Sequence, residues 1–377
     1  MILVGGSASV SEMVRGPRGL CPAPAVVPSW DRIRKVVFMT YSVLVSTSSF
    51  IDTPGDHVRK LQDTGWEVVK ARGPLNQDQL LSYIGDGNRF DAFLCGEDDF
   101  NGKVLKAAAP RAKVISKYGV GLDKIDLAEA EKLGIKVTNT PGVNHTTVTE
   151  LTFGLLLSLT RYIPEQNALV HKGEWRRQTG RELAGKTLGI LGFGRVGKEV
   201  AKRAMAFGMN VRVFNTSWSA QHTQFLEHVS KVFADPMFGE YPPAIQRAPR
   251  DEDLFPHCDF LSVHMSLTKD NQFFLNRRRL GMCRRGVYIV NVSRGALIDQ
   301  RAMADAVKSG QVAGYGADVL DPEPVQLDNP LLGLHNVHLT PHVGSRTYES
   351  VVRQGSAAVD NLIRALQGQP AAKVQSA

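Results

Sequence analysis

Apolar residues along this chain follow two rhythms that take turns. Short apolar runs mark strands buried on both faces, and they alternate with stretches in which apolar positions recur every third or fourth residue, as on a helix with one buried side. From Val43 the order is VLVS, a helix near Asp56 to Thr64, WEVVKA, a helix near Asn76 to Ile84, FDAFLCG, a helix near Gly102 to Ala108, and AKVISKYGVG. A second series opens with a strand at Thr187 to Leu191, a helix from Arg195 to Phe207 and a strand at Val211 to Phe214. It continues with strands at Asp259 to His264, Val287 to Val292, Ala313 to Asp318 and Val337 to Thr340. Strands that alternate with helices at this spacing pair in parallel with the helices as crossovers, so the fold class is α/β. Each strand of the second series ends in polar residues, and a doubly wound sheet gathers those ends into its ligand crevice.

Other stretches break the alternation. Thr138 to Gly142 reads as a turn, and Thr147-x-x-Glu150 has the pattern of a capping box. The helix after it, Val148 to about Tyr162, is apolar on nearly every side and is expected to be buried by both flanking domains or by another subunit. Pro164 either stops it or opens the next helix. After Asn215 the pattern lapses for about forty residues, and Ala234 to Arg250, with Tyr241-Pro242-Pro243 and the charged run RAPRDED, predicts an exposed insertion. Arg346 to Leu366 is spaced as a terminal amphipathic helix, with a frayed tail from Gln367. Residues 1–38 are rich in Gly, Pro, Ser and Arg without periodicity and read as a disordered extension.

Composition narrows the function classes. A chain of 377 residues suits two domains. Its four cysteines, Cys21, Cys95, Cys258 and Cys283, include no CxxC pair, which argues against disulfides and zinc, for a reducing cytoplasm, and for no metal. The formal charge is +8, and the first 38 residues hold five Arg or Lys against two acids. No basic stripe is interleaved with aromatics, so nucleic acid is not an expected partner; a basic surface of this kind attracts small anions. The most apolar run, Leu151 to Leu159, is interrupted by Thr152, Gly154 and Ser158 and falls far short of the ~20 residues that span a bilayer. The N-terminus has no basic segment ahead of a sustained apolar core, so neither a membrane nor a secretory route is expected.

The candidate chemistry begins between the first two strands of the second series. Gly192-x-Gly194-x-x-Gly197 joins them directly, with a strand before it and a helix after it. In that context Gly192 permits a tight turn, Gly194 lets backbone approach a pyrophosphate, and Gly197 lets the helix lie close to the sheet, while the helix N-terminus faces the anion. A dinucleotide is the implied ligand. Asn215 ends the second strand where Asp or Glu usually binds the ribose of NAD; Asn does not repel a 2′-phosphate, so NAD and NADP are both open, with NAD favoured.

Lys117-Tyr118-Gly119-Val120-Gly121-Leu122-Asp123 reads either as a plain turn or as backbone N–H groups offered to a small anion with Lys117 nearby. Arg294, Glu323 and His342 each lie just past a strand end. A histidine titrates near neutrality and can give or take the proton that accompanies hydride transfer to a carbonyl. A neighbouring carboxylate favours its charged form, and an arginine offers a planar fork to a substrate carboxylate. Together the three describe reduction of a 2-keto acid.

The motifs KYGVGLDKID, VTNTPGVNHTTVTEL, GKTLGILGFGRVGKEVAKRAMAFGM, NVSRGALID, GADVLDPEP and LTPHVGS resemble those of the D-isomer-specific 2-hydroxyacid dehydrogenases, and most of all phosphoglycerate dehydrogenase-like members. The resemblance covers roughly Val43 to Gln367. It implies two doubly wound Rossmann-like domains with the active site between them: a smaller substrate domain, discontinuous in sequence (39–141 plus 342–377), and a dinucleotide domain (142–341). It implies His342 as acid and base, Glu323 as its partner, and Arg294 together with the Gly119-Val120-Gly121 backbone as the substrate binder. Arg195 and Val196 would touch the pyrophosphate and Asn215 the ribose. Met265, Val292, Ser293, Asp318, His342, Gly344 and Ser345 would line the rest of the cofactor. A homodimer through the long helix after Thr147 is also implied.

There are departures from the pattern. Where phosphoglycerate-specific members often have an Arg, this chain has Cys95-Gly96-Glu97-Asp98-Asp99, and three acids there would repel a phosphate. Ser266 replaces a common Pro, the insertion near 217–250 is longer than usual, and no appended regulatory domain comes after the last helix, so serine feedback through one is not expected. The readings carried forward are an NAD(P)-dependent, phosphoglycerate dehydrogenase-like enzyme, its alternative as a glyoxylate or hydroxypyruvate reductase, and, from another class, a dinucleotide-sensing corepressor-like protein.

Overall fold

The computed structural model describes residues 40–235 and 242–370. The expected extension over 1–38, Tyr241 and the end of the tail lie outside the described residues.

Five short strands build the first sheet: β1 (Ser42–Val45), β2 (Glu67–Lys70), β3 (Ala92–Cys95), β4 (Val114–Lys117) and β5 (Lys136–Thr138). All pair in parallel in the order β2-β1-β3-β4-β5, so the strand order reverses between β1 and β3. Strands β1, β3 and β4 are buried along their whole length, which is why they read as apolar runs without alternation. Helices α1 (Ser48–Asp52), α2 (Asp56–Gln62), α3 (Gln77–Ile84), α4 (Gly102–Ala108) and α5 (Leu127–Lys132) connect them. Three capping residues set helix starts here: Asn76 exchanges hydrogen bonds with Gln79 at the head of α3, Asn101 accepts the Lys103 and Val104 N–H groups in α4, and Asp126 accepts the Glu129 N–H in α5. Leu80, Phe93, Phe100, Leu105 and Ile115 fill one face of the sheet. The other face closes on Val43, Leu61 and Leu94 with Val359 and Leu362, which come from the far end of the chain.

The second sheet has seven parallel strands: β6 (Thr187–Leu191), β7 (Asn210–Phe214), β8 (Ile245–Arg247), β9 (Phe260–Val263), β10 (Val287–Asn291), β11 (Val312–Ala317) and β12 (Val337–Leu339). Their order is β12-β11-β10-β9-β6-β7-β8, with the reversal between β6 and β9. Around it lie α6 (His145–Arg161), α7 (Ile163–His171), α8 (Arg195–Ala206), α9 (Ala220–Phe233), α10 (Arg277–Met282) and α11 (Gln300–Lys308). The last helix, α12 (Tyr348–Leu366), crosses back to pack on α2 and β4. Two doubly wound parallel sheets result, the smaller one completed by both ends of the described chain. Among the described residues no helix is long and apolar enough to cross a membrane.

Three sequence expectations are corrected. Helix α6 begins at His145 with Asn144 at its cap, so Thr147 lies inside the helix and forms no box with Glu150. The helix is also not apolar all round. Its buried side, against α8 and β10, includes Thr149, Thr152 and Thr160, whose hydroxyls donate to carbonyls one turn back at 2.7, 2.9 and 2.9 Å. Pro164 opens α7. The third concerns the stretch after Asn215 whose pattern lapses, which contains α9 and the edge strand β8, paired to β7 with Val213 opposite Arg247. Phe225, Leu226, Val229 and Phe233 do carry helical spacing there, diluted by Gln, His, Thr and Lys between them.

Candidate active site

The glycine turn sits where the strand order of the second sheet reverses. Gly192, at φ +95°, leaves β6 so close to β9 that a Cβ on it would stand 2.6 Å from the His264 carbonyl carbon. A Cβ on Gly197, in the first turn of α8, would stand 2.2 Å from the Gly192 oxygen. Neither position tolerates a side chain. No side chain caps α8 at Gly194, where the positive end of the helix dipole emerges. This steeply turned glycine cradle at a helix start fits a pyrophosphate.

Asn215 closes the cradle from β7. Its Oδ1 accepts the Phe193 N–H at 2.9 Å and its Nδ2 donates to the Ser217 carbonyl at 2.5 Å. Phe193 is buried and stacked with Trp218, their centroids 6.0 Å apart, and the Arg247 guanidinium lies 4.7 Å from the Trp218 ring centre. Periodicity did not single out Trp218 or Arg247, because both lie in the stretch whose pattern lapses.

Past β10, β11 and β12 come Arg294, Glu323 and His342, and they converge. His342 Nδ1 lies 2.7 Å from Glu323 Oε2, while the other Glu323 oxygen accepts the Leu320 N–H at 3.0 Å. A carboxylate only accepts, so Nδ1 carries the proton and Nε2 is left to work in the cleft. Burial pushes the His342 pKa down, but the carboxylates of Glu323 and Glu97 outweigh it and hold the pKa above the ordinary 6.5. The backbone at His342 is left-handed, φ +52°, with its N–H on the Asp318 carbonyl at 2.8 Å.

Asp318 builds that turn. Its carboxylate accepts the Thr340 hydroxyl at 2.6 Å and the N–H groups of Val343 and Gly344 at 2.8 and 2.7 Å. It is 2% exposed, and its oxygens hold the turn that carries His342. Gly344 likewise spends its N–H on Asp318, and the Ser345 carbonyl accepts from Gln354 of α12 at 3.3 Å. The ends of β9 and β10 are joined by the Ser293 hydroxyl, which donates to the Met265 carbonyl; Met265 and Val292 are buried.

The first sheet supplies the opposite wall. Arg294 reaches across to Asp123, with Nε and Nη2 at 3.1 and 3.0 Å from Oδ1, and its Nη1 donates to the Ser293 carbonyl at 2.9 Å. It lies against the loop after β4. Gly119, at φ +134°, gives its N–H to the Thr140 hydroxyl at 2.9 Å and so does not offer it to an anion. Lys117 does not serve an anion either. It is 1% exposed, its Nζ donates to the Gly96 carbonyl, and it lies 2.6 Å from Glu97 Oε1.

The three acids after β3 prove to have three tasks. Asp98 is fully buried and accepts from the Ser46 hydroxyl at 2.6 Å, the Leu75 N–H at 2.6 Å and the Gly96 N–H at 2.8 Å. Asp99 accepts from Asn101 at 3.2 Å. Glu97 is partly exposed and within electrostatic reach of Arg294 and His342. Burial would raise its pKa, but Lys117, Arg294 and His342 together hold it down to about 2.

A cradle shaped for a pyrophosphate at the crossover of one sheet, facing an acid–base histidine and an arginine at the mouth of another, defines the class of two-lobed oxidoreductases that use a nicotinamide dinucleotide. Within that class the chain belongs to the D-isomer-specific 2-hydroxyacid dehydrogenases: residues 153–344 match the model of the D-isomer specific 2-hydroxyacid dehydrogenase NAD-binding domain. It is 36% identical over 304 residues to the glyoxylate reductase of Thermofilum pendens, covering 78% of this chain and 83% of that one. To the D-3-phosphoglycerate dehydrogenase of Methanocaldococcus jannaschii it is 35% identical over 321 residues, covering 85% of this chain and 57% of that one. The chain thus spans little more than half the length of that relative. The crystal structure of the TT0316 protein from Thermus thermophilus superposes with a TM-score of 0.73 at 33% identity, covering 88% of this chain and 98% of the other.

Proposed function

We propose that this enzyme interconverts a small D-2-hydroxy acid and its 2-keto acid, with NAD or NADP held at the Gly192–Gly197 turn. The observation that carries the reading is the His342–Glu323 pair at 2.7 Å, which fixes Nδ1 and frees Nε2 beside Arg294. The nicotinamide supplies hydride to the keto carbon, or receives it from the hydroxy acid. His342 Nε2 donates a proton to the substrate oxygen as that carbon is reduced and takes it back in the reverse direction. Glu323 keeps the imidazole in the tautomer that makes this possible. Arg294 binds the carboxylate and polarises the neighbouring carbonyl, loosening its hold on Asp123 to do so, while the Val120 and Gly121 N–H groups hold the carboxylate from the other lobe.

In this reading 39–141 with 342–377 form the substrate domain and 142–341 the dinucleotide domain. Arg195 and Val196 meet the pyrophosphate, Asn215 the ribose, and the segments at Met265, Val292, Ser293, Gly344 and Ser345 flank the nicotinamide half. Asn215 admits NAD and NADP. A homodimer through the long helix α6 belongs to this reading, and the exposed apolar side chains Ile163, Val170 and Trp175, on α7 and just after it, support it. Phosphoglycerate oxidation and glyoxylate or hydroxypyruvate reduction share the chemistry at carbons 1 and 2 and differ beyond carbon 2. The corepressor-like reading draws no support from relatives named for reductase and dehydrogenase activity.

Oxidation of NADH and NADPH by a panel of 2-keto acids tests the proposal. His342→Ala is expected to lower kcat by about 10²–10⁴-fold, and a loss of less than about threefold would overturn the acid–base assignment.

A further inference from the structure

Beyond its electrostatic effect on His342, Glu97 has no role in the chemistry above, yet it occupies a ligand position. It lies just past β3, at the carboxyl end of the strand where the order of the first sheet reverses, which is where open parallel sheets receive ligands. Its loop is pinned from beneath: the buried Asp98 carboxylate holds the Gly96 and Leu75 N–H groups and the Ser46 hydroxyl of the neighbouring β1 end. Lys117 comes up from β4 and meets Glu97 at 2.6 Å, with only 1% of its side chain exposed against 30% for Glu97. The ammonium is therefore sealed behind the carboxylate, and the surface that the pair presents to the cleft is the carboxylate. Arg294 and His342 lie close enough to Glu97 to stabilise its charge.

We propose that Glu97 reads the substituent on the third carbon of the substrate, accepting a hydrogen bond from a hydroxyl there and rejecting a phosphate or a second carboxylate. This rests on the proposed 2-keto acid chemistry. A substrate tied by its carboxylate to Arg294 and by its keto oxygen to His342 turns its remaining carbon toward the first lobe, where Glu97 stands within electrostatic reach of both Arg294 and His342. A hydroxyl donates to a carboxylate in a strong, charge-assisted bond. A second anion meets a like charge that cannot move away, because Lys117 and the loop hold it, and the Lys117 ammonium beside it is already occupied.

The test compares kcat/KM for hydroxypyruvate and phosphohydroxypyruvate in the parent and in Glu97→Gln, which keeps the side chain's shape and hydrogen bonding and unmasks the Lys117 charge. The parent is expected to favour hydroxypyruvate, and the ratio of phosphorylated to unphosphorylated kcat/KM is expected to rise about tenfold or more in the variant. Glu97→Ser carries the same expectation if the glutamine variant does not fold. A variant ratio within about twofold of the parent, or a parent that prefers the phosphorylated acid, overturns the assignment of Glu97 while leaving the reaction class standing. A parent that turns over neither acid, nor any other 2-keto acid, removes the functional reading and this inference with it.

Discussion

The guanidinium of Arg294 lies so close over Gly121 that a Cβ at residue 121 would stand 1.6 Å from Nη2. One residue comes from the second sheet and the other from the loop after β4, so the missing side chain is what lets the two lobes meet at the substrate arginine. Gly121 does not have a left-handed backbone, and the atom it would displace is the tip of a flexible chain. The fold should therefore survive Gly121→Ala while Arg294 is pushed from its seat. We expect kcat/KM for the keto acid to fall by about 10²-fold, the scale of an ångström-sized misplacement, with the cofactor dissociation constant changed by less than about twofold. Stopped-flow cofactor binding beside steady-state kinetics separates the two, and equal loss in both would contradict the placement.

The pH dependence comes from His342. Burial lowers its pKa, the Glu323 and Glu97 carboxylates raise it more, and the imidazolium therefore persists above the ordinary 6.5. Keto-acid reduction needs the charged form, so its kcat/KM should be level at low pH and fall as pH rises through a midpoint above 6.5; hydroxy-acid oxidation needs the neutral form and should rise through the same midpoint. Glu323→Gln removes the nearest carboxylate and should move both midpoints to lower pH. Profiles recorded in both directions decide it: unmoved midpoints would mean that Glu323 does not set the charge of His342.

Asp318 offers a test of structure apart from chemistry. Its carboxylate satisfies the Val343 and Gly344 N–H groups and the Thr340 hydroxyl in a region where Asp318 is 2% exposed. Asp318→Ala strands those donors, and leaving buried donors unpaired costs about 1–3 kcal/mol each. Part of that is recovered by relaxation, so urea unfolding should show a loss of about 2–4 kcal/mol. Because the same turn carries His342 at φ +52°, kcat should fall with stability. Unchanged unfolding with lowered kcat would point instead to direct contact with cofactor or substrate.

What the amino-acid pattern revealed and what it hid have a common cause. Strands β6 and β10 and the turn at Gly192 are legible because burial on both faces leaves mostly apolar residues, and because glycine is the one residue that fits beside the His264 carbonyl. Arg294, Glu323 and His342 are legible because strand ends in such sheets point at one crevice. Lys117 and Glu97 were not, since 20 residues separate them and nothing local says that a lysine on a buried strand will be sealed behind an acid from its neighbour. Likewise Asp98 and Glu97 look alike in sequence, and only the folded loop makes one a strut and the other a wall. Helix α9 was hidden by dilution: Phe225 and Val229 pack inward, but the polar residues around them mask the period.

Asn215 decides the last prediction. At the end of β7 it accepts the Phe193 N–H with Oδ1 and donates to the Ser217 carbonyl with Nδ2. An aspartate can keep the first bond, since a carboxylate oxygen accepts as well as an amide oxygen, and it loses the second, since it has no proton to give. The glycine turn should therefore stay in register in Asn215→Asp while the ribose site gains a negative charge and the Ser217 loop loosens. That charge repels a 2′-phosphate and still accepts from the ribose hydroxyls of NAD. We expect the NAD to NADP ratio of kcat/KM to rise by about tenfold or more, chiefly through a higher KM for NADP. If both cofactors lose affinity equally, the lost Ser217 bond is the cause and Asn215 serves the turn alone; if neither changes, it does not lie at the ribose.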